Sequence, residues 1–263
     1  MRIFGYIFIV GVLVLNIASC KLGSLDDPIV ISDVEKEFYI DLRETLTVPG
    51  RQFYVDIRTI GMEPCLNSTI ATELDRKTEG FDISINQINE PADCQQGEAP
   101  AIAAINLGPL SNRSYDFTID LKNTIYNLGK LSVDQDRIVV EMQTEEGIIF
   151  LHDELLRVPN QTVWGFVAGD ESTANEESLN FVEDLEGLGN APSYLKGYYH
   201  YYTINTDGSV VVNHEKVVDR NFVHSFIFNY TGDKATMVDQ LEAFRAAHSD
   251  VDVYFFTAQG EEW

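Results

Sequence analysis

Tyr115-Asp116-Phe117-Thr118-Ile119-Asp120-Leu121-Lys122 places an apolar side chain at every second position and a polar one between. Successive strand side chains point to opposite faces, so this stretch puts one face on a core and the other in water, as antiparallel strands of a sandwich or barrel do. The same period of two runs through Phe53, Val55 and Ile57 against Tyr54, Asp56 and Arg58, and through Phe81, Ile83 and Ile85 against Asp82, Ser84 and Asn86. Further strands are predicted at Ile29 to Ser32, Glu37 to Asp41, Thr69 to Asp75, Ala101 to Leu107, Leu128 to Val133, Ile138 to Met142 and Ile148 to Leu151. Pro49-Gly50, Glu79-Gly80 and Gly108-Pro109 fall between them as turns. Residues 28–159 therefore read as an all-β domain.

Leu107-Gly108-Pro109-Leu110 followed by Tyr115-Asp116-Phe117 resembles the entry to a late strand in immunoglobulin-like and fibronectin-like sandwiches. In that family a tyrosine near the strand start bonds back to the preceding corner. The resemblance implies an immunoglobulin-like β-sandwich over residues 28–159. It departs from antibody domains, since no cysteine lies two residues after Tyr115 and no tryptophan lies in this region. Cys65 and Cys94 instead bracket the segment from Thr69 to Ile88, as they would if a hairpin were stapled at its base.

Beyond Pro159-Asn160 helical periods appear between strands. Thr162 to Ala168 is a predicted strand, and Ser172 or Thr173 is expected to cap a helix whose stripe is Phe181, Leu185 and Leu188. Tyr198 to Ile204 and Ser209 to Asn213 are expected to form a hairpin about Asp207-Gly208. A strand at Phe222 to Tyr230, a helix capped by Asp233 and a last strand at Val251 to Thr257 complete the order. That order resembles a ferredoxin-like split βαβ arrangement with one added strand, which implies an α+β domain over residues 160–263.

At the other end of the chain, Arg2 precedes an apolar run from Ile3 to Leu15, and Ile17-Ala18-Ser19-Cys20 closes it. The run has the length and character of a signal peptide and is too short to span a bilayer comfortably. The closing residues resemble the lipobox of bacterial lipoproteins. The resemblance implies cleavage after residue 19, lipidation of Cys20 and a tether over residues 20–27. Lys21 stands where an aspartate commonly retains such proteins at the inner membrane, so the same resemblance implies the outer membrane. The acidic, aromatic-rich composition is similar to that of Bacteroidota surface lipoproteins.

The chain has 18 basic and 42 acidic residues and a net charge of −24, and loss of the leader removes one arginine and no acid. Such a surface repels phosphate backbones and anionic headgroups, which argues against nucleic-acid partners and against a polybasic membrane contact. An exported chain meets an oxidising compartment, so a bridge between Cys65 and Cys94 is favoured over two free thiols. On the chain-entropy model it would contribute about 3.5 kcal/mol.

Tyr198-Tyr199-His200-Tyr201-Tyr202 is the candidate recognition element. On a regular strand Tyr199 and Tyr201 share one face and Tyr198, His200 and Tyr202 the other; one face is expected to pack on the helices and the other, if open, would stack on sugar rings or on a partner's apolar surface, set against the alternative that both faces are structural. His200, His214 and His224 fall on three predicted strands and are the candidate metal ligands, set against the alternative of surface or satisfied core histidines. Asp134 and Asp136 suit either a calcium loop or a solvated turn. His214-Glu215 has Val218 where a metalloprotease helix needs its second histidine, and neither a Gly-x-Ser-x-Gly elbow nor a phosphate-binding glycine loop occurs. No cofactor is expected, and no internal repeat is read. The sequence thus points to a lipid-anchored envelope or cell-surface protein that acts as a binding or structural module, with an envelope protein or glycan as partner. The alternative is an extracytoplasmic hydrolase with its site between the two domains.

Overall fold

A computed structural model describes residues 34–190, 194–213 and 220–263. The export segment with Cys20, the tether, the strand expected at Ile29 to Ser32, and His214 lie outside the described residues. Those residues are mostly β with two helices, and no helix among them is long and apolar enough to cross a membrane.

The first part of the chain forms β1 (Phe38–Thr47), β2 (Gly50–Thr59), β3 (Glu63–Cys65), β4 (Thr69–Arg76), β5 (Gly80–Asn89), β6 (Gln96–Ala99), β7 (Ile102–Gly108), β8 (Arg113–Leu121), β9 (Ile125–Val133), β10 (Arg137–Met142), β11 (Ile148–Phe150) and β12 (Glu154–Leu156). Ten of these make one mixed sheet in the order β11-β1-β2-β7-β4-β5-β8-β9-β10-β12. The sheet curls for two reasons. Between β7 and β4 the ladder narrows to a single pair, Ile102 with Thr69, so the sheet bends there. At its far edges, the Leu151 amide donates to the Ile40 carbonyl at 2.9 Å while the Asp153 carbonyl accepts from Val140 at 2.8 Å. Residues 151–153 thereby carry the chain from one edge strand to the other.

The alternation that announced these strands is what fills the interior. Ile40, Val55, Ile83, Phe117, Ile119 and Leu131 are fully buried in one cluster, and each large side chain there stabilises the fold by about 2–3 kcal/mol. Tyr115, predicted to bond back to its corner, does so. Its hydroxyl accepts from the Ser111 amide at 2.9 Å and donates to the Ser111 carbonyl at 3.1 Å. Cys65 and Cys94 form a disulfide with Cα atoms 5.3 Å apart, beside the short β3–β6 ribbon that flanks the β4–β5 hairpin.

The second part contains β13 (Thr162–Gly169), α1 (Ser172–Gly187), β14 (Gly197–Tyr198), β15 (Tyr202–Ile204), β16 (Val210–Val212), β17 (Phe222–Asn229), α2 (Lys234–Ala247) and β18 (Asp252–Thr257). Strand β13 lies between β17 and β18 and is buried along its whole length. That is why Thr-Val-Trp-Gly-Phe-Val-Ala-Gly reads as a nearly unbroken apolar run and does not alternate. One face of β13 packs on Phe181 and Leu185 of α1 and on Met237 and Leu241 of α2. Asp233 caps α2, accepting from the Ala235 amide at 3.0 Å. At α1 the expected cap is not used, because the helix already includes Ser172 and Thr173, and Glu171 at the cap position makes no side-chain bond.

The hairpin expected in this part takes a different form. The segment from Tyr198 to Ile204 is not one strand, since it folds over Tyr199 to Tyr201 with His200 at φ 67°. A split βαβ sheet with one added strand would carry the hairpin strands in the same sheet as β13. Instead β14, β15 and β16 make a small sheet of their own, and its Tyr202, Ile204 and Val212 cover the second face of β13 at Trp164 and Phe166. The same cluster includes Leu46, Leu156 and Val158 from the curled sheet, and residues 34–263 form one compact unit.

Candidate functional site

Outward-facing residues of β1, β2 and β7 form an open platform, and the β14–β15 segment rises beside it. In register, Tyr39 lies across from Arg58, Asp41 from Asp56 and Arg43 from Tyr54; β7 adds Ile102 beside Arg58 and Ala104 beside Asp56. Together with Leu151, Tyr198, His200 and Asn213 these residues, Tyr54 excepted, line a cleft of about 580 Å³.

The platform has an internal order. Phe38-Tyr39-Ile40-Asp41-Leu42-Arg43 and Phe53-Tyr54-Val55-Asp56-Ile57-Arg58 are two copies of one hexapeptide, which corrects the expectation that the chain has no internal repeat. Because β1 and β2 run antiparallel, the copies are related by a local two-fold axis between Asp41 and Asp56. Both arginines stack on the other copy's tyrosine, Arg43 over Tyr54 at 4.4 Å and Arg58 over Tyr39 at 5.1 Å.

The charged groups break this symmetry. Arg43 closes on Asp56 through two bonds of 2.6 and 2.8 Å and also donates to Thr45, a fork geometry that matches a carboxylate. Asp41 is engaged elsewhere: its oxygens accept from the Leu42 amide at 2.9 Å and from the Tyr198 hydroxyl at 3.4 Å, with His152 Nδ1 3.1 Å away. His152 sits on the crossing between β11 and β12, and its ring lies flat on Tyr198 with centroids 3.6 Å apart. The Arg58 side chain is exposed and, apart from its stacking on Tyr39, makes no hydrogen bond or ion pair among the described residues.

The wall opposite is held by a strained turn. His200 takes a left-handed φ, which costs a non-glycine residue about 1 kcal/mol or more. The Asn213 side-chain amide donates to the His200 carbonyl at 2.6 Å, and the Tyr199 backbone amide donates to the Tyr202 carbonyl at 2.9 Å, fixing the turn. Burial, reinforced by the nearby Arg43 charge, pushes the His200 imidazole down to about 4, so it is neutral at pH 7. Burial and the Asp41 carboxylate push the Tyr198 phenol well above its usual range, so it remains a donor.

The two tyrosines singled out in the sequence do not face this cleft. Tyr199 packs in the core and donates to the Leu195 carbonyl at 2.8 Å. Tyr201 sits at the edge of the core, where its hydroxyl accepts from the Leu46 amide at 2.9 Å. Their neighbours Tyr198 and His200 are the ones that reach the platform, and the turn at His200 parts them from Tyr202, which is fully buried although it would share their face on a regular strand.

Of the candidate metal ligands, His200 lines the cleft and His224 bonds Asn175 at 2.5 Å, while His214 lies outside the described residues. Among the described residues no three metal-ligating side chains converge. Asp134 accepts from the amides of Asp136 and Arg137 at 2.8 and 2.9 Å, the geometry of a self-bonded turn. No protein-family model, curated protein or solved structure matches the chain.

Proposed function

We propose that this chain is a lipid-anchored envelope protein that acts as a binding module, with the platform cleft as its binding site. The observation that carries the reading is the cleft itself: an open surface combining Tyr39 and Tyr198 rings, an apolar strip at Ile102 and Ala104, and an uncommitted guanidinium at Arg58. Rings, apolar strip and a few fixed polar groups are what small-ligand sites combine. On this reading Cys20 carries the lipid, and the exported body stands at the outer membrane facing an envelope protein or glycan. The bond from Tyr115 to its corner supports the immunoglobulin-like reading of the curled sheet. The antiparallel flanking of β13 by β17 and β18, with helices on one face, supports a ferredoxin-like variant for the second part.

Ligand-observed NMR against envelope glycans and small metabolites tests the reading. Tyr198→Ala combined with Ile102→Asp should abolish the hits while circular dichroism stays unchanged. Hits that survive both substitutions would place binding elsewhere than the cleft. Cys20→Ser should leave the particulate fraction and lose fatty-acid label.

The alternative hydrolase is favoured by one feature, the His152–Asp41 pair stacked on Tyr198 at the cleft. Among the described residues no serine, threonine or cysteine lines the cleft, so this pair would have to activate water. Turnover of an envelope ester or glycoside that His152→Ala abolishes would establish that reading.

A further inference from the structure

We infer that the cleft recognises a singly charged carboxylate carried on a ring or similarly flat body, and that Arg58 is the group that holds the carboxylate. The inference rests on the binding reading above and deepens it by naming the ligand chemistry.

The two-fold of the hexapeptide pair is broken at its charged groups. If the symmetry held, Arg58 would close on Asp41 as Arg43 closes on Asp56. Asp41 is instead occupied by His152, Tyr198 and its own strand's Leu42 amide. Both occupying side chains come from outside the hairpin, His152 from the β11–β12 crossing and Tyr198 from β14. They act as positioning residues: by holding Asp41 they leave Arg58 uncommitted in a chain with 42 acidic and 18 basic residues. The carboxylate missing from Arg58 is one a ligand can supply, in the two-bond geometry its symmetry mate displays.

The surroundings select the rest of the ligand. Ile102, the register partner of Arg58, is 61% exposed. Beside it Ala104 keeps the floor low, and the Tyr39 ring lies on the other flank of Arg58. A flat body joined to the carboxylate would cover this strip and remove apolar surface from water. A phosphate fits less well. It carries nearly two charges at neutral pH and is usually met by several cations or a helix N-terminus. Here Arg43 is already neutralised by Asp56, so Arg58 alone would face a second negative charge, which the nearby Asp41 carboxylate would repel.

The probes are galacturonate and benzoate, their uncharged counterparts galactose and benzamide, and inorganic phosphate. They are titrated by NMR into the full-length protein in detergent micelles at low salt. Each carboxylate is expected to bind about tenfold or more tightly than its neutral counterpart and than phosphate. Arg58→Gln should reduce it to the neutral level, whereas Arg113→Gln, remote from the cleft, should change nothing.

A second variant separates positioning from simple charge. His152→Ala with Tyr198→Phe leaves Arg58 in place but releases Asp41 to it, so carboxylate affinity should fall at least fivefold. Adding Asp41→Asn should restore it. Failure of both carboxylates to bind, equal binding of carboxylate and neutral probes, or indifference to Arg58→Gln would each overturn the inference. Neutral probes that bind and are lost in the Tyr198→Ala, Ile102→Asp variant would then leave the cleft as a site of different specificity.

Discussion

Glu44 offers the sharpest test of how the two parts of the chain are held together. Its side chain is 7% exposed and is gripped from two sides, by Arg51 at 2.8 Å and by Arg157 at 2.9 Å. Each arginine also reaches backbone, Arg51 donating to the Val158 carbonyl at 2.6 Å and Arg157 to the Asp134 carbonyl at 2.9 Å. The carboxylate therefore joins β1 and β2 to the strand that leads into the second part. Glu44→Gln keeps the shape and one acceptor but turns a donor toward a guanidinium and leaves two half-buried cations uncompensated. Breaking a buried pair costs about 3–5 kcal/mol, and the retained acceptor together with partial arginine exposure reduces this to about 2–4 kcal/mol. For a protein of this size that corresponds to a fall in melting temperature of roughly 4–16 °C. Urea denaturation followed by tryptophan fluorescence reads the change directly, because Trp164 lies in the cluster next to this junction. In a double-mutant cycle with Arg157→Gln, the second substitution should cost much less in the Glu44→Gln background than in the parent. A loss below about 1 kcal/mol, or additive effects in the cycle, would refute the clasp and reduce it to a screened surface pair.

Three further outcomes are expected. Phe117→Ala should cost about 3–5 kcal/mol in chemical denaturation, since its ring is fully buried in the curled sheet, and it should leave ligand binding at the platform unaltered in the folded protein. His200 is held neutral by burial, with its folded value lowered to about 4 against an ordinary 6.5. The unfolded chain therefore takes up a proton first, so stability is complete above about pH 6.5 and declines as pH falls toward 4, by about 2 kcal/mol after allowance for partial exposure. His200→Asn, which tolerates the same backbone, should lose less between pH 7.5 and 4.5, and parallel profiles would contradict this. Gly165→Val should fail to accumulate folded protein, because a Cβ there would lie 2.1 Å from the Tyr254 carbonyl oxygen, a contact that backbone alone forms and that cannot move aside.

The sequence exposes the strands of the curled sheet because each buries one face only, so Tyr115, Phe117, Ile119 and Leu121 record in one dimension which side meets the core. It also exposes the second helix, because Asp233 caps it through a bond two residues away. The bend at Ile102 and Thr69 and the crossing at residues 151–153 leave no comparable mark, since a single bridge pair or two hydrogen bonds impose no composition. The cleft is intermediate. Its platform is spelled out by the repeated Phe-Tyr-x-Asp-x-Arg hexapeptide, a pattern short enough to pass for ordinary alternation.

What sequence alone determined, then, is which residues face inward along each strand and where Tyr-Asp-Arg triplets stand on the outer face, because periodicity and register are local properties. Tertiary structure alone decided that Tyr198, not Tyr199, meets that face, and that Asp41 is taken by His152 and Tyr198 while Arg58 is left open. The physical reason is that a carboxylate's partner is chosen by whichever donors long-range folding brings within about 3 Å, and His152 and Tyr198 lie more than a hundred residues from Asp41 along the chain.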